Sequence, residues 1–292
     1  PSGQFFHHRY GWEPRLGLSF LVTPELSLKA SYSRTLQYVH LLSFSSAGSP
    51  MEIWIPSGPS ILPQASHQVS AGIFANLFNK DYEASVEIFY KHLDNVLDFK
   101  EHPNLLLYDK IETELRFGKG KSYGVEFLLK RNTGILSGWI SYTWSRSFRT
   151  IPGVNNNQTY RAPSDRPHNI NVVVFYDISP RLQASLNWVY ATGMPITLPE
   201  GRYWFYNELI PVYTERNSYR MADYHRMDAS LNIRLGKPGR RWKHSLNVSV
   251  YNLYARKNPW AINYRLNPAG EQYLEMTYLF SIVPSITWNF SF

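Results

Sequence analysis

Apolar and polar side chains alternate with a period of two in segments of about ten residues, and the pattern returns about every 20 to 30 residues along the whole chain. In the stretch 181–188, Leu182, Ala184, Leu186 and Trp188 share one face of an extended strand, while Gln183, Ser185 and Asn187 share the other. The same apolar face recurs as Leu26, Leu28, Ala30 and Tyr32; as Val69, Ala71, Ile73, Ala75 and Leu77; and as Tyr82, Ala84, Val86, Ile88 and Tyr90. Further sets are Tyr123, Val125, Phe127 and Leu129; Ile170, Val172, Val174 and Tyr176; and Met227, Ala229, Leu231, Ile233 and Leu235. None of these sets holds a charge. The interleaved positions hold Lys29, Glu83, Glu87, Lys91, Glu126, Lys130, Asp228 and Arg234, with neutral Gln68, Asn76, Asn232 and Asn247.

Alternation alone also suits a soluble antiparallel sheet with one wet face. Segment length and ring placement decide between the two. Ten residues is the length of a tilted transmembrane strand, against about five or six in soluble sheets. Aromatic residues make up 16% of the chain although mean hydropathy is −0.34. They gather at segment ends, as in Tyr142 and Trp144, Trp188 and Tyr190, Tyr251 and Tyr254, and Phe290 and Phe292. An interfacial girdle would place them there. A Lys or Arg on the lipid face costs about 2 to 4 kcal/mol at the midplane, which accounts for uncharged apolar sets. No apolar run reaches the roughly 18 to 20 residues of a membrane-spanning helix, so any crossing is made by strands.

The pattern predicts an all-β, transmembrane, antiparallel up-and-down barrel wall of about eleven strands: 14–22, 26–37, 67–78, 82–92, 121–131, 136–148, 168–178, 181–192, 224–235, 243–255 and 274–292. Short turns at Thr23-Pro24-Glu25, Asn79-Lys80-Asp81, Asn132-Thr133-Gly134 and Ser179-Pro180-Arg181, with a basic turn from Gly236 to Lys243, alternate with long loops near 38–66, 93–121, 149–167, 193–222 and 257–272. Short periplasmic turns and long outer loops are how outer-membrane barrels are built. An odd number of strands leaves the first and last running the same way, so at least one further strand is expected before Pro1.

Composition closes other routes. There is no cysteine, hence no disulfide framework and no thiolate metal site. The net charge of +8 is scattered over turns and alternate positions instead of forming a stripe, which argues against nucleic acid. The phosphates of surrounding lipopolysaccharide and other outer-membrane lipids are the simpler partner. The opening Pro1-Ser2-Gly3 has neither an initiator Met nor a signal peptide, as expected of a mature or truncated piece.

The ending 284–292, Pro-Ser-Ile-Thr-Trp-Asn-Phe-Ser-Phe, resembles the C-terminal signature handed to the barrel-assembly machinery through a terminal aromatic, here Phe292. The segments 13–19 (EPRLGLS), 111–118 (IETELRFG), 165–169 (DRPHN) and 219–228 (YRMADYHRMD) resemble the barrel of TonB-dependent receptors of the Bacteroidetes type, over nearly the whole chain. That resemblance implies strands 12 to 22 of a barrel of about 22 strands. It also implies partners: the N-terminal barrel strands and plug domain, the TonB-ExbB-ExbD complex acting through the plug, and a surface lipoprotein. The function implied is TonB-dependent uptake of a scarce nutrient, whether metal chelate, vitamin, glycan or peptide, with no enzymatic activity and no cofactor. A self-contained barrel enzyme and a passive porin are the alternatives; the first needs a Ser/His constellation that the sequence does not assemble.

Gly118-Lys119-Gly120-Lys121-Ser122 fails as a phosphate loop, since the required earlier glycine is Leu115. Adjacent His7 and His8 lack a third ligand, and His168, His225 and His244 lack spaced partners, so no metal is assigned. Glu83 and Glu87 lie about 13 Å apart along one strand, too far for paired catalysis. The loop 193–222 is the candidate ligand site: Tyr203, Trp204, Tyr206, Tyr213 and Tyr219 stand beside Arg216 and Arg220, a mixture suited to ligands with flat faces and anionic groups. Trp54, among Pro50, Pro56 and Pro59, is a second candidate.

Overall fold

The computed structural model describes residues 8–43, 52–101, 103, 111–206, 208–213, 215–235, 242–267 and 272–291. Eleven antiparallel strands form one meandering sheet: β1 (Arg15–Leu21), β2 (Leu26–Gln37), β3 (Gln64–Leu77), β4 (Tyr82–Phe99), β5 (Leu115–Arg131), β6 (Leu136–Thr150), β7 (His168–Ser179), β8 (Leu182–Ala191), β9 (Tyr224–Leu235), β10 (Lys243–Tyr251) and β11 (Val283–Ser291). Each pairs with its neighbours in sequence, and Tyr160–Arg161 adds a short bridge to β6. Among the described residues β1 and β11 are each paired on one side only. No described helix is long and apolar enough to cross a membrane.

The register aligns the apolar sets into continuous rows. Phe20 faces Leu28, then Ile73, Val86, Phe127, Tyr142, Ile170 and Tyr190 on successive strands. One residue further along, Ser27, Phe74, Ser85, Leu128, Ser141 and Asn171 line the opposite face. A slip of one residue would exchange the two faces, so the lipid fixes the register. The apolar face stays open: Ile73, Ile88 and Ile140 are 51%, 56% and 50% exposed, which only a bilayer makes tolerable. On the inner face, serine pairs tie strand to strand at 2.7 to 2.9 Å: Ser31 with Ser70, Ser122 with Ser147, Ser185 with Ser230 and Ser249 with Ser285. Inner rings settle over glycines. The Phe89 ring lies so near Gly124 that a Cβ there would come within 2.9 Å of it.

The buried core is not in the wall. Leu42, Ile55, Ile61, Leu97, Phe99 and Leu115 form one cluster, and Val96, Ile151, Val154 and Tyr160 a second, all at the long-loop end. A barrel wall gives its apolar side chains to lipid, so a protein core can form only where the chain leaves the membrane.

Several boundaries depart from the sequence expectation. β4 and β5 run to Phe99 and from Leu115, not to 92 and from 121, because the hairpin continues past the apolar band and packs Leu97, Phe99 and Leu115 on its neighbours. A bulge at Asn95, in the left-handed region at φ 56, carries it through. β10 stops at Tyr251 instead of 255, since Asn252 and Ala255 take φ of 54 and the Asn252 side chain caps the turn. The expected last strand 274–292 is two elements: Gln272–Thr277 pairs with Ala261–Leu266 in the outer loop, and only 283–291 joins the wall. Hairpins also pair Val39–Ser43 with Glu52–Pro56 and Gly201–Phe205 with Glu208–Val212. The uncharged outer set of β5 extends two residues past Leu129 to Arg131, which faces Tyr82 and Gly138. Most of the basic turn, residues 236–241, and Phe292 lie outside the described residues.

Candidate functional site

The loop joining β8 to β9 is built from one two-residue ladder and one hairpin. Pro195–Ile196 pairs with Tyr219–Arg220 at its base, and Gly201–Phe205 pairs with Glu208–Val212 above. Gly193 is required at the entry: a Cβ there would collide with the carbonyl of Met221.

Polar contacts that no local pattern announces fix this base. Asp165, fully buried, accepts from Arg146 Nε at 3.2 Å, from the Ser147 amide at 2.8 Å and from Arg220 Nη2 at 2.7 Å. The other Arg220 nitrogen, Nη1, donates to the carbonyls of Asp165 and Gly193. Arg216 donates its guanidinium to the Phe99 carbonyl at 2.9 Å and its amide to Asn155. Buried Asn217, at φ 54, receives the Thr197 hydroxyl and donates its side-chain amide to the Arg161 carbonyl. Tyr160 donates to Asp98 at 2.6 Å, and burial, reinforced by that carboxylate, pushes its phenol pKa well up. Asp223 accepts from Tyr190 and from the Gly193 amide, and the Tyr190 bond leads in holding its carboxyl below the usual range. Three loops are thereby joined into one platform.

The predicted ligand residues divide on this platform. Arg216 and Arg220 are engaged inside it. Tyr203, Tyr206 and Tyr219 are exposed, Tyr206 by 89%, and Phe205 meets Tyr206 edge to face at 4.7 Å between centroids. Trp204 sits on the same hairpin with its backbone opposite Leu209, and Tyr213 is half-buried. Trp54 stands apart, 64% exposed on the hairpin 39–56 with its backbone opposite Leu41. In that hairpin His40 is buried beside Ser57 at 3.1 Å, and burial lowers its pKa. Sequence reasoning missed Asp165, Asp98, Arg146 and Asn217, whose partners lie 18 to 62 positions away along the chain. The histidines singled out in the sequence serve the rings: His168 stacks on Tyr142, His225 lies 2.8 Å from the Tyr254 hydroxyl, and His244 stacks on Trp288.

The inner face holds a second feature. Glu87 stands directly opposite Glu126 on the neighbouring strand, a like-charge pair that costs stability unless a cation faces it. Lys29, in the same row, lies instead over the Phe74 ring at 4.3 Å. Glu83, two inward positions below on the same strand, is already paired with Lys130 at 3.5 Å.

Comparison with known proteins gives the following. The profile of the family described as TonB dependent receptor-like, beta-barrel, matches residues 2–253. No curated protein matches the sequence. Among solved structures, FpvA of P. aeruginosa bound to a heterologous ferric pyoverdine aligns at TM-score 0.60 and 13% identity, over 96% of this chain and 32% of that one. The unliganded ferric citrate transporter FecA aligns at 0.60 and 12%, over 96% and 38%. The ferric-catecholate import receptor Fiu of K12 E. coli aligns at 0.54 and 16%, over 95% and 34%. This chain thus spans about a third of the length of the solved structures it matches. At these identities the likeness is one of fold.

Proposed function

Because the chain belongs to the family of TonB-dependent receptor β-barrels, a family of outer-membrane transporters and not of enzymes, we propose that it supplies wall strands and capture loops for import of a scarce nutrient. The imported ligand bears flat or aromatic groups. A ferric chelate is the class carried by the similar solved structures named above.

One observation carries this reading: Tyr203, Phe205 and Tyr206 are exposed on a hairpin whose base is pinned by buried ion pairs. A ring exposed on a fixed support gives contact area at low entropic cost. The cations Arg216 and Arg220 position the hairpin, and the rings Tyr203, Trp204 and Tyr206 make first contact. Inside the barrel, the Glu87 and Glu126 carboxylates receive cationic side chains of a plug domain, through which the TonB complex acts. That arrangement turns a destabilising pair into a docking point.

Trp204→Ala and Tyr206→Ala in the intact receptor test the capture role. A contact ring contributes about 2 kcal/mol, roughly thirtyfold in affinity. Uptake of limiting nutrient falls, surface expression stays normal, and residual uptake vanishes when the proton-motive force is collapsed. Undiminished, energy-independent uptake at normal surface levels would contradict both the capture role and active transport.

A further inference from the structure

The lipid-facing wall has one interruption that the import reading does not use. Gly138 of β6 occupies an outward position, between Arg131 on β5 and Val174 on β7. At φ +143 no other residue is comfortable there, and a Cβ would strike the Val173 carbonyl. The missing side chain leaves a groove of about 150 Å³ whose outward walls include Leu129, Ile140, Val172 and Val174.

At the short-turn end of this groove sit Arg131 and Tyr82. The Arg131 guanidinium lies over the Tyr82 ring, 5.5 Å from its centroid. Its Nε is buried and has no hydrogen-bond partner among the described residues. An unpaired donor of a permanent cation, shielded from water beside a hydrocarbon surface, is costly unless an anion meets it. The neighbouring positions in its row are a ring and a glycine, so no carboxylate of the wall answers it.

From this geometry we infer a site for a glycerophospholipid of the periplasmic leaflet, its phosphate on Arg131 and one acyl chain lying across Gly138. The occupant must carry charge and hydrocarbon together, because the cation and the apolar groove are continuous. Free phosphate would leave the groove wet, and a neutral lipid would leave the guanidinium charge uncompensated. The short turns place the site in the leaflet made of phospholipid, whereas lipopolysaccharide lies at the opposite end of the strands. The inference rests on the outer-membrane placement and not on the identity of the imported nutrient, so it can fail while the capture experiment succeeds, and the reverse.

Native mass spectrometry of the intact receptor in detergent, titrated with phosphatidylglycerol or with a diacylglycerol of the same chains, tests it. The wild-type protein retains phosphatidylglycerol and releases diacylglycerol. Arg131→Gln lowers retention about tenfold, as expected for loss of one charge-assisted contact, and Arg131→Lys restores part of it. Val172→Phe, an apolar exchange on the lipid face that leaves assembly intact, lowers retention by filling the groove, and it decides the question should Arg131→Gln fail to assemble. Arg181→Gln, in a different turn, changes nothing. Equal retention of the two lipids, or retention indifferent to Val172→Phe, would overturn the site.

Discussion

Asp165 holds two arginines from different strands, Arg146 of β6 and Arg220 beside β9, with its own side chain fully buried. Removing one partner of such a group leaves the others buried and uncompensated, which costs about 3 kcal/mol or more. The loss falls on the loop platform, since in the wall Asp165 meets only the outer end of β6, at the Arg146 side chain and the Ser147 amide. Asp165→Ala is therefore expected to raise hydrogen exchange at residues 216–221 and expose the loop to protease, while the folded barrel keeps its shifted migration on unheated gels. Unchanged exchange in that segment would show that the network does not hold the loop. The same reasoning explains why Arg216 and Arg220 support the aromatic hairpin: Arg216 Nη2 donates to the Phe99 carbonyl, and Arg220 donates to the Asp165 and Gly193 carbonyls and to the Asp165 carboxylate.

At the scale of elements, facing decides which substitutions are tolerated. Leu186 lies in the outward row Val174, Leu186, Ala229 and Val250, and Asn187 faces Asp228 on the inner side. Arginine at Leu186 meets hydrocarbon at a cost of about 2 to 4 kcal/mol, whereas arginine at Asn187 meets the lumen and a carboxylate. Leu186→Arg should lower the amount of assembled receptor sharply and Asn187→Arg only slightly; equal effects would mean that the faces are reversed. These faces were legible in the sequence because lipid imposes the alternation residue by residue, and Leu182 to Trp188 displays it without exception. Strand ends beyond the bilayer were not. Once β4 and β5 leave the lipid, Leu93 to Phe99 obey packing on Leu42, Ile55 and Ile151, partners remote in sequence. The aromatic loop was visible as composition, but the division between pinned arginines and exposed rings depends on Asp165 and Phe99, which no spacing connects to it.

For the whole molecule, the decisive fact is an odd meander. Eleven antiparallel strands set β1 and β11 running in the same direction, so joining them directly would insert one parallel pair into an otherwise antiparallel wall. Unpaired edges are not tolerated in hydrocarbon. We therefore propose that this sheet is one arc of a larger barrel, a reading supported by the family and by the partial coverage of similar structures. Ten strand spacings of roughly 4.8 Å, widened to about 6 Å along the circumference by a strand tilt near 40°, place the two edges about 40 Å apart on a 22-stranded cylinder. The chain has no cysteine to interfere with labelling. Spin labels at Leu18→Cys on β1 and Ile286→Cys on β11, in the intact receptor in its membrane, should report by electron–electron resonance a separation near that diameter. A separation of one strand spacing, about 5 Å between backbones, would mean that the sheet closes on itself and is not an arc of a larger barrel.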